Sequence, residues 1–133
     1  MKLSLSTIVT AVIMQIIVGY FWYGPHLFGD VITGTGGKAI DFIKMDTLSL
    51  VLIVLGSYGL TYILDTLTKL TKTKDTKGSV KLGLTFGVFA IGLPVTMLLH
   101  LMGYGTMALV AVFLHLVTIS ILTNTLIVKL KKA

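Results

Sequence analysis

Residues 19–29 read Gly-Tyr-Phe-Trp-Tyr-Gly-Pro-His-Leu-Phe-Gly, and they end an apolar run that begins at Leu5. Tryptophan and tyrosine rings are amphipathic and favour the depth of the lipid headgroups in a membrane. Proline lacks an amide hydrogen and biases the preceding residue away from the helical conformation, so it belongs just beyond the hydrocarbon. We therefore predict that a first transmembrane helix ends here, with Trp22, Tyr23 and Pro25 at the membrane interface.

The rest of the chain has the composition of a membrane protein. Hydrophobic residues fill 55% of the 133 positions and charged residues only 12%, about half the charged share of an ordinary soluble domain. Four apolar stretches, at about residues 5–23, 47–68, 80–102 and 106–128, each approach the ~17 to 25 residues that a spanning helix needs. The sequence therefore predicts an all-α, polytopic membrane protein, an antiparallel bundle of four transmembrane helices in a single domain over residues 1–133.

The charge pattern predicts the orientation of these helices. The formal charge is +6, every basic residue is a lysine, and the lysines crowd the connector at residues 65–81 and the C-terminal tail. By the positive-inside rule both termini and this connector are cytoplasmic, and an even number of spans independently requires the termini to lie on one side. We expect a multi-pass protein of the cell membrane whose lysines touch anionic headgroups, with the lipid bilayer as a partner and no nucleic acid.

The end of the first span also carries a family resemblance. The segment Trp22-Tyr23-x-Pro25-x-x-Phe28-Gly29, followed by a glycine-containing connector and three further spans, resembles the domain-of-unknown-function 1761 family of small prokaryotic membrane proteins. The resemblance implies a four-helix integral membrane fold. It brings with it no established reaction, cofactor or catalytic residue.

Small residues recur at helical spacing in two of the spans. Ala11, Gln15 and Gly19 share one face of the first span, and Ser79, Gly83 and Gly87 share one face of the third. Such rows let two helix backbones approach closely. The row in the third span serves either self-association or packing inside the monomer, and Pro94 predicts a kink further along the same helix.

Polar side chains at mid-depth are the candidates for a functional site. At ~1.5 Å per residue, Gln15 lies ~15 Å from the inner end of its span, and Tyr58 and His115 lie ~17 and ~14 Å from the outer ends of theirs. All three are near the bilayer midplane. Polar groups at that depth need partners, so we expect them to turn inward. They either lock the bundle by hydrogen bonds or form the blind end of a cytoplasm-facing cleft, lined by Tyr62 and Asp65, where His115 binds or relays a proton.

The sequence offers little for catalysis or metal binding. It contains no cysteine, and no serine, histidine and acid are placed to form a catalytic set. His26 and His100 lack a nearby carboxylate and are a weak metal signal. We therefore expect neither enzyme activity nor a cofactor, but a non-catalytic scaffold or accessory subunit that binds its own copies or a membrane partner protein; the alternative is a small oligomeric transporter or channel with a polar site near His115.

Overall fold

The computed structural model describes residues 3–23 and 47–132. Every regular element within these ranges is helical, and four helices result: α1 (Leu5–Tyr23), α2 (Thr47–Leu70), α3 (Thr76–Leu101) and α4 (Thr106–Lys132). Each is long and apolar enough to cross a membrane, which confirms the predicted fold class. At the lysine-rich end α2, α3 and α4 extend beyond the predicted spans, because a helix continues past the hydrocarbon where its residues, lysine included, favour helix.

Helices α2 and α3 end in the same type of turn. After α2, the amide of Lys72 bonds the carbonyl of Lys69 at 3.2 Å and the amide of Thr73 bonds the carbonyl of Thr68 at 3.1 Å. This is the Schellman pattern, whose central residue takes a left-handed conformation; the φ of Lys72 is 53°. After α3, Gly103 holds the equivalent place with a φ of 90°. Both turns reverse the chain within a few residues and make consecutive helices antiparallel.

Helix α4 is the centre of the bundle, since it packs against α1, α2 and α3, while α1 also packs against α2. The closest approach is between α3 and α4. A Cβ atom built on Gly83 would lie 2.7 Å from the Cα of Ile121, and one on Gly87 would lie 2.9 Å from the Cα of Val117. The predicted small-residue row, which begins at the fully buried Ser79, is therefore used inside the monomer. Helix α4 covers this row, which favours packing inside the monomer over self-association through the same residues.

The predicted disturbance at Pro94 takes the form of a widened helical turn. Residues Phe86–Gly92 form a π-helix immediately before it, and the amide of Leu93 bonds the carbonyl of Val88. Proline has no amide to donate and its ring clashes with the carbonyl four residues back, so a wider turn relieves the conflict. Within this segment Gly92 packs on α4, where an added Cβ would lie 3.0 Å from the ring of Phe113.

Candidate functional site

The C-terminal end of α1 is bonded to α4 through its aromatic residues. The indole Nε1 of Trp22 donates to the backbone oxygen of Ala111 at 2.9 Å, and the hydroxyl of Tyr23 lies 2.8 Å from Nδ1 of His115. The Tyr23 and His115 rings also meet edge to face, with centroids 4.7 Å apart. The other ring nitrogen of His115 is buried and has no hydrogen-bond partner among the described residues. These rings therefore join two helices, in addition to any role at the headgroups.

A second contact joins α1 to α2. The buried residues of α1 are Thr7, Ala11, Gln15 and Gly19, one face at a spacing of four, as the sequence predicts. From that face the side-chain amide of Gln15 donates to the hydroxyl of Thr61 at 2.9 Å. The Thr61 hydroxyl in turn donates to the carbonyl of Ser57 at 2.8 Å. The Gln15 side chain thus ties α1 to α2.

A third contact joins α2, α3 and α4 around Asn124, which is fully buried. The hydroxyl of Thr68 donates to its Oδ1 at 2.6 Å, and its Nδ2 donates to the carbonyl of Ser79 at 2.8 Å. The sequence-based site omits both Asn124 and Thr68. An amide within an apolar span was the available signal, because such a group needs a partner inside the bundle.

Asp65 makes a fourth contact, at the lysine-rich end. Its side chain is 2% exposed and forms ion pairs with Lys69, at 2.5 Å, and with Lys131. Lys69 lies one turn further along α2, whereas Lys131 lies near the end of α4. A buried carboxylate needs such partners, and here they tie the end of α4 to α2.

The structure does not bring the predicted site together. Gln15, Asp65 and His115 are held in three separate contacts with different partners. Tyr58 and Tyr62 lie on the outside of α2, with 46% and 57% of their surface exposed and their rings stacked at a centroid distance of 6.4 Å. The reason is the rotation of α2, whose buried face centres on Thr61, Leu64, Asp65 and Thr68 and leaves both tyrosines at its edge.

Of the three residues predicted at the membrane interface, the structure describes Trp22 and Tyr23. Trp22 and Tyr23 turn toward α4 and are partly buried there. Their partners, Ala111 and His115, lie well inside α4 and not at its first turn. Pro25 lies outside the described residues.

His115 lines neither of the two best-defined pockets among the described residues. One, of about 570 Å³, opens at the lysine-rich end between the α2–α3 turn and the end of α4; the other, of about 290 Å³, is a shallow apolar depression along the first half of α2. The described residues contain no group of three or more histidine, cysteine or acidic side chains able to hold a metal ion. Within residues 3–23 and 47–132, the polar side chains bind helices together and the lysines and aspartates lie at one end.

Comparison with known proteins gives a family and nothing finer. A family model described as "Protein of unknown function (DUF1761)" matches residues 6–128, nearly the whole chain. No curated protein matches, and no solved structure matches.

Proposed function

The chain belongs to DUF1761, a family described only as proteins of unknown function, and from its own contacts we propose that it is a non-catalytic membrane scaffold whose helix α2 binds a second copy of the chain. The observation that carries the proposal is the pair of outward tyrosines, Tyr58 and Tyr62. Neither hydroxyl has a hydrogen-bond partner among the described residues.

The depth of these hydroxyls makes their position costly in a lone monomer. Helix α2 has 24 residues, and Tyr58 lies ~17 Å from its first residue, near the middle of its length. A hydroxyl in hydrocarbon without a partner costs about 1 to 3 kcal/mol. A second transmembrane helix against this face removes that cost.

A second copy fits this face better than a charged or metal-bearing partner. A hydroxyl both donates and accepts, so two identical faces related by a two-fold axis satisfy each other's tyrosines. The neighbouring residues on the same side, Val51 and Leu55, are exposed and apolar, and they add contact area without charge. The surface is thus complementary to itself.

The transporter or channel alternative has less support from the contacts. It depends on a polar site around His115, yet Gln15 and Asp65 are engaged in other helix contacts. Neither pocket reaches His115. The mid-membrane polar groups on the inner faces favour a role in holding the bundle together.

Single-cysteine cross-linking tests the proposed dimer, since the chain has no cysteine of its own. We expect Tyr58→Cys and Tyr62→Cys to give a disulfide-linked dimer when membranes are oxidised. The matched controls are Leu52→Cys and Ile63→Cys, which lie on another side of the same helix with 59% and 47% of their surface exposed. These should remain monomeric.

A double variant, Tyr58→Phe with Tyr62→Phe, then measures the hydroxyls themselves. At ~0.6 kcal/mol per intramembrane hydrogen bond, two lost bonds weaken the dimer roughly five- to tenfold in detergent, with the monomer's thermal unfolding unchanged. Equal cross-linking at the control positions, or none at any of the four, would contradict the proposal. A cross-linked product heavier than two chains would identify a different protein as the occupant.

A further inference from the structure

Four of the seven residues that line the pocket at the lysine-rich end are lysines. Its volume is about 570 Å³, and four lysines line it: Lys69, Lys72, Lys74 and Lys131. Ligand pockets commonly measure ~300 to 1,000 Å³, so this one is large enough to hold a small molecule or a headgroup. The end of α2 and the turn after it supply Lys69, Lys72 and Lys74, and the end of α4 supplies Lys131.

The lysines exceed the negative charge available to them. Asp65 lies behind the pocket and pairs with Lys69 and Lys131. Lys72 and Lys74 have no ion pair within the described part of the chain. Four like charges around one cavity repel each other, and a single carboxylate leaves most of that repulsion in place. An anion between them would offset it.

Lys72 also occupies a backbone position that disfavours it. Its φ of 53° is left-handed, a conformation that glycine adopts without cost and that costs other residues about 1 to 2 kcal/mol. The equivalent turn after α3 uses Gly103. A strained residue at an otherwise glycine position is a reason to look for a function of its side chain.

From these observations we propose that this pocket binds a phosphate-bearing anion. Ammonium groups recognise phosphate as compact point charges, and Lys72 and Lys74 are free to do so. Val128 and the aliphatic stems of the lysines form an apolar wall beside the charges. Such a wall suits an anionic phospholipid, whose phosphate would meet the lysines, and a soluble phosphate would use the same ammonium groups.

The purified protein in neutral detergent provides the test, with thermal unfolding as the readout. We add phosphatidylglycerol in one series, phosphatidylcholine in a second and inorganic phosphate in a third. Phosphatidylglycerol should raise the unfolding temperature, phosphatidylcholine should not, and Lys74→Gln should weaken the apparent affinity about tenfold. Lys77→Gln is the matched control, because Lys77 is exposed on the start of α3 and does not line the pocket.

Lys72→Gly separates a ligand-binding role from a structural one. Without added anion it should unfold at a higher temperature than the parent, because it relieves the left-handed strain. With phosphatidylglycerol its gain in unfolding temperature should be smaller than that of the parent.

Protection by phosphatidylglycerol alone supports the pocket with a lipid as its ligand, and protection by inorganic phosphate as well supports it with a soluble ligand. The proposal is overturned if neither compound raises the unfolding temperature. It is also overturned if Lys77→Gln weakens the apparent affinity as much as Lys74→Gln does.

Discussion

At the scale of single residues, hydrogen bonding and not burial separates the polar side chains that hold helices together from those that do not. Asn124 and Thr123 are neighbours on α4, and both are fully buried. Asn124 bonds to α2 and α3, whereas the hydroxyl of Thr123 has no partner among the described residues. We therefore expect these two adjacent polar residues to contribute with opposite sign to the stability of the bundle.

Replacing each of these residues by an apolar one of similar size measures the difference. We expect Asn124→Leu to lower the free energy of unfolding by about 1 to 2 kcal/mol, because it removes two hydrogen bonds and leaves the hydroxyl of Thr68 without its partner. Thr123→Val should be neutral or stabilising, since it replaces an unpaired hydroxyl by a methyl group. Equal losses in reversible unfolding of the two variants would show that packing alone, and not hydrogen bonding, decides the stability here.

At the scale of helices, the bundle uses glycine where backbones must approach. Gly83 lies against the backbone of α4, whereas Gly56 on α2 has no neighbouring atom within 4 Å of the position its Cβ would take. Both are interior helical positions, so the intrinsic gain from a methyl group is similar at the two sites, about 1 kcal/mol. The two positions differ because α4 packs against Gly83 and no described residue packs against Gly56.

The same substitution at both positions should thus have opposite effects. Gly83→Ala forces α3 and α4 apart, and we expect a loss of about 1 to 3 kcal/mol despite the better helix propensity. Gly56→Ala should raise stability by up to about 1 kcal/mol. Thermal unfolding in detergent compares the two, and a stabilising Gly83→Ala would mean that the close contact between α3 and α4 is absent.

At the scale of the whole molecule, the lysine and aspartate side chains of the described residues lie at one end of the bundle. Asp65 of α2 and Lys131 near the end of α4 form an ion pair at this end, while the α3–α4 turn at Gly103 lies at the other end. By the positive-inside rule we expect the lysine-rich end to lie in the cytoplasm. The orientation of the bundle across the membrane can be tested on intact cells.

Labelling of single cysteines by a membrane-impermeant reagent is the test. We expect Tyr104→Cys, at the α3–α4 turn, to be labelled from outside, and Thr76→Cys, at the start of α3, to be labelled only after the cells are opened. Both side chains are exposed in the structure, so protection reflects the membrane and not the fold. Labelling of Thr76→Cys in intact cells would reverse the predicted orientation.

The sequence by itself determined the number of helices, their approximate ends and the family. They depend on features that follow one another along the sequence: the length of an uncharged run, a proline after aromatic residues, and lysines concentrated in particular connectors. The spacing of Ala11, Gln15 and Gly19 also identified a face that is buried, because helical periodicity fixes which residues lie together.

Only the tertiary structure decided which face of each helix meets which neighbour. In a soluble protein the apolar side marks the core, but lipid is as apolar as the inside of the bundle, so hydrophobicity does not reveal how far a helix is rotated. A modest rotation of α2 places Thr61 and Thr68 inside and leaves Tyr58 and Tyr62 outside, although all four share the polar side of the helix. For the same reason Asn124 and Thr68 form a contact that their distance along the chain could not predict, since hydrogen bonds between helices depend on that rotation.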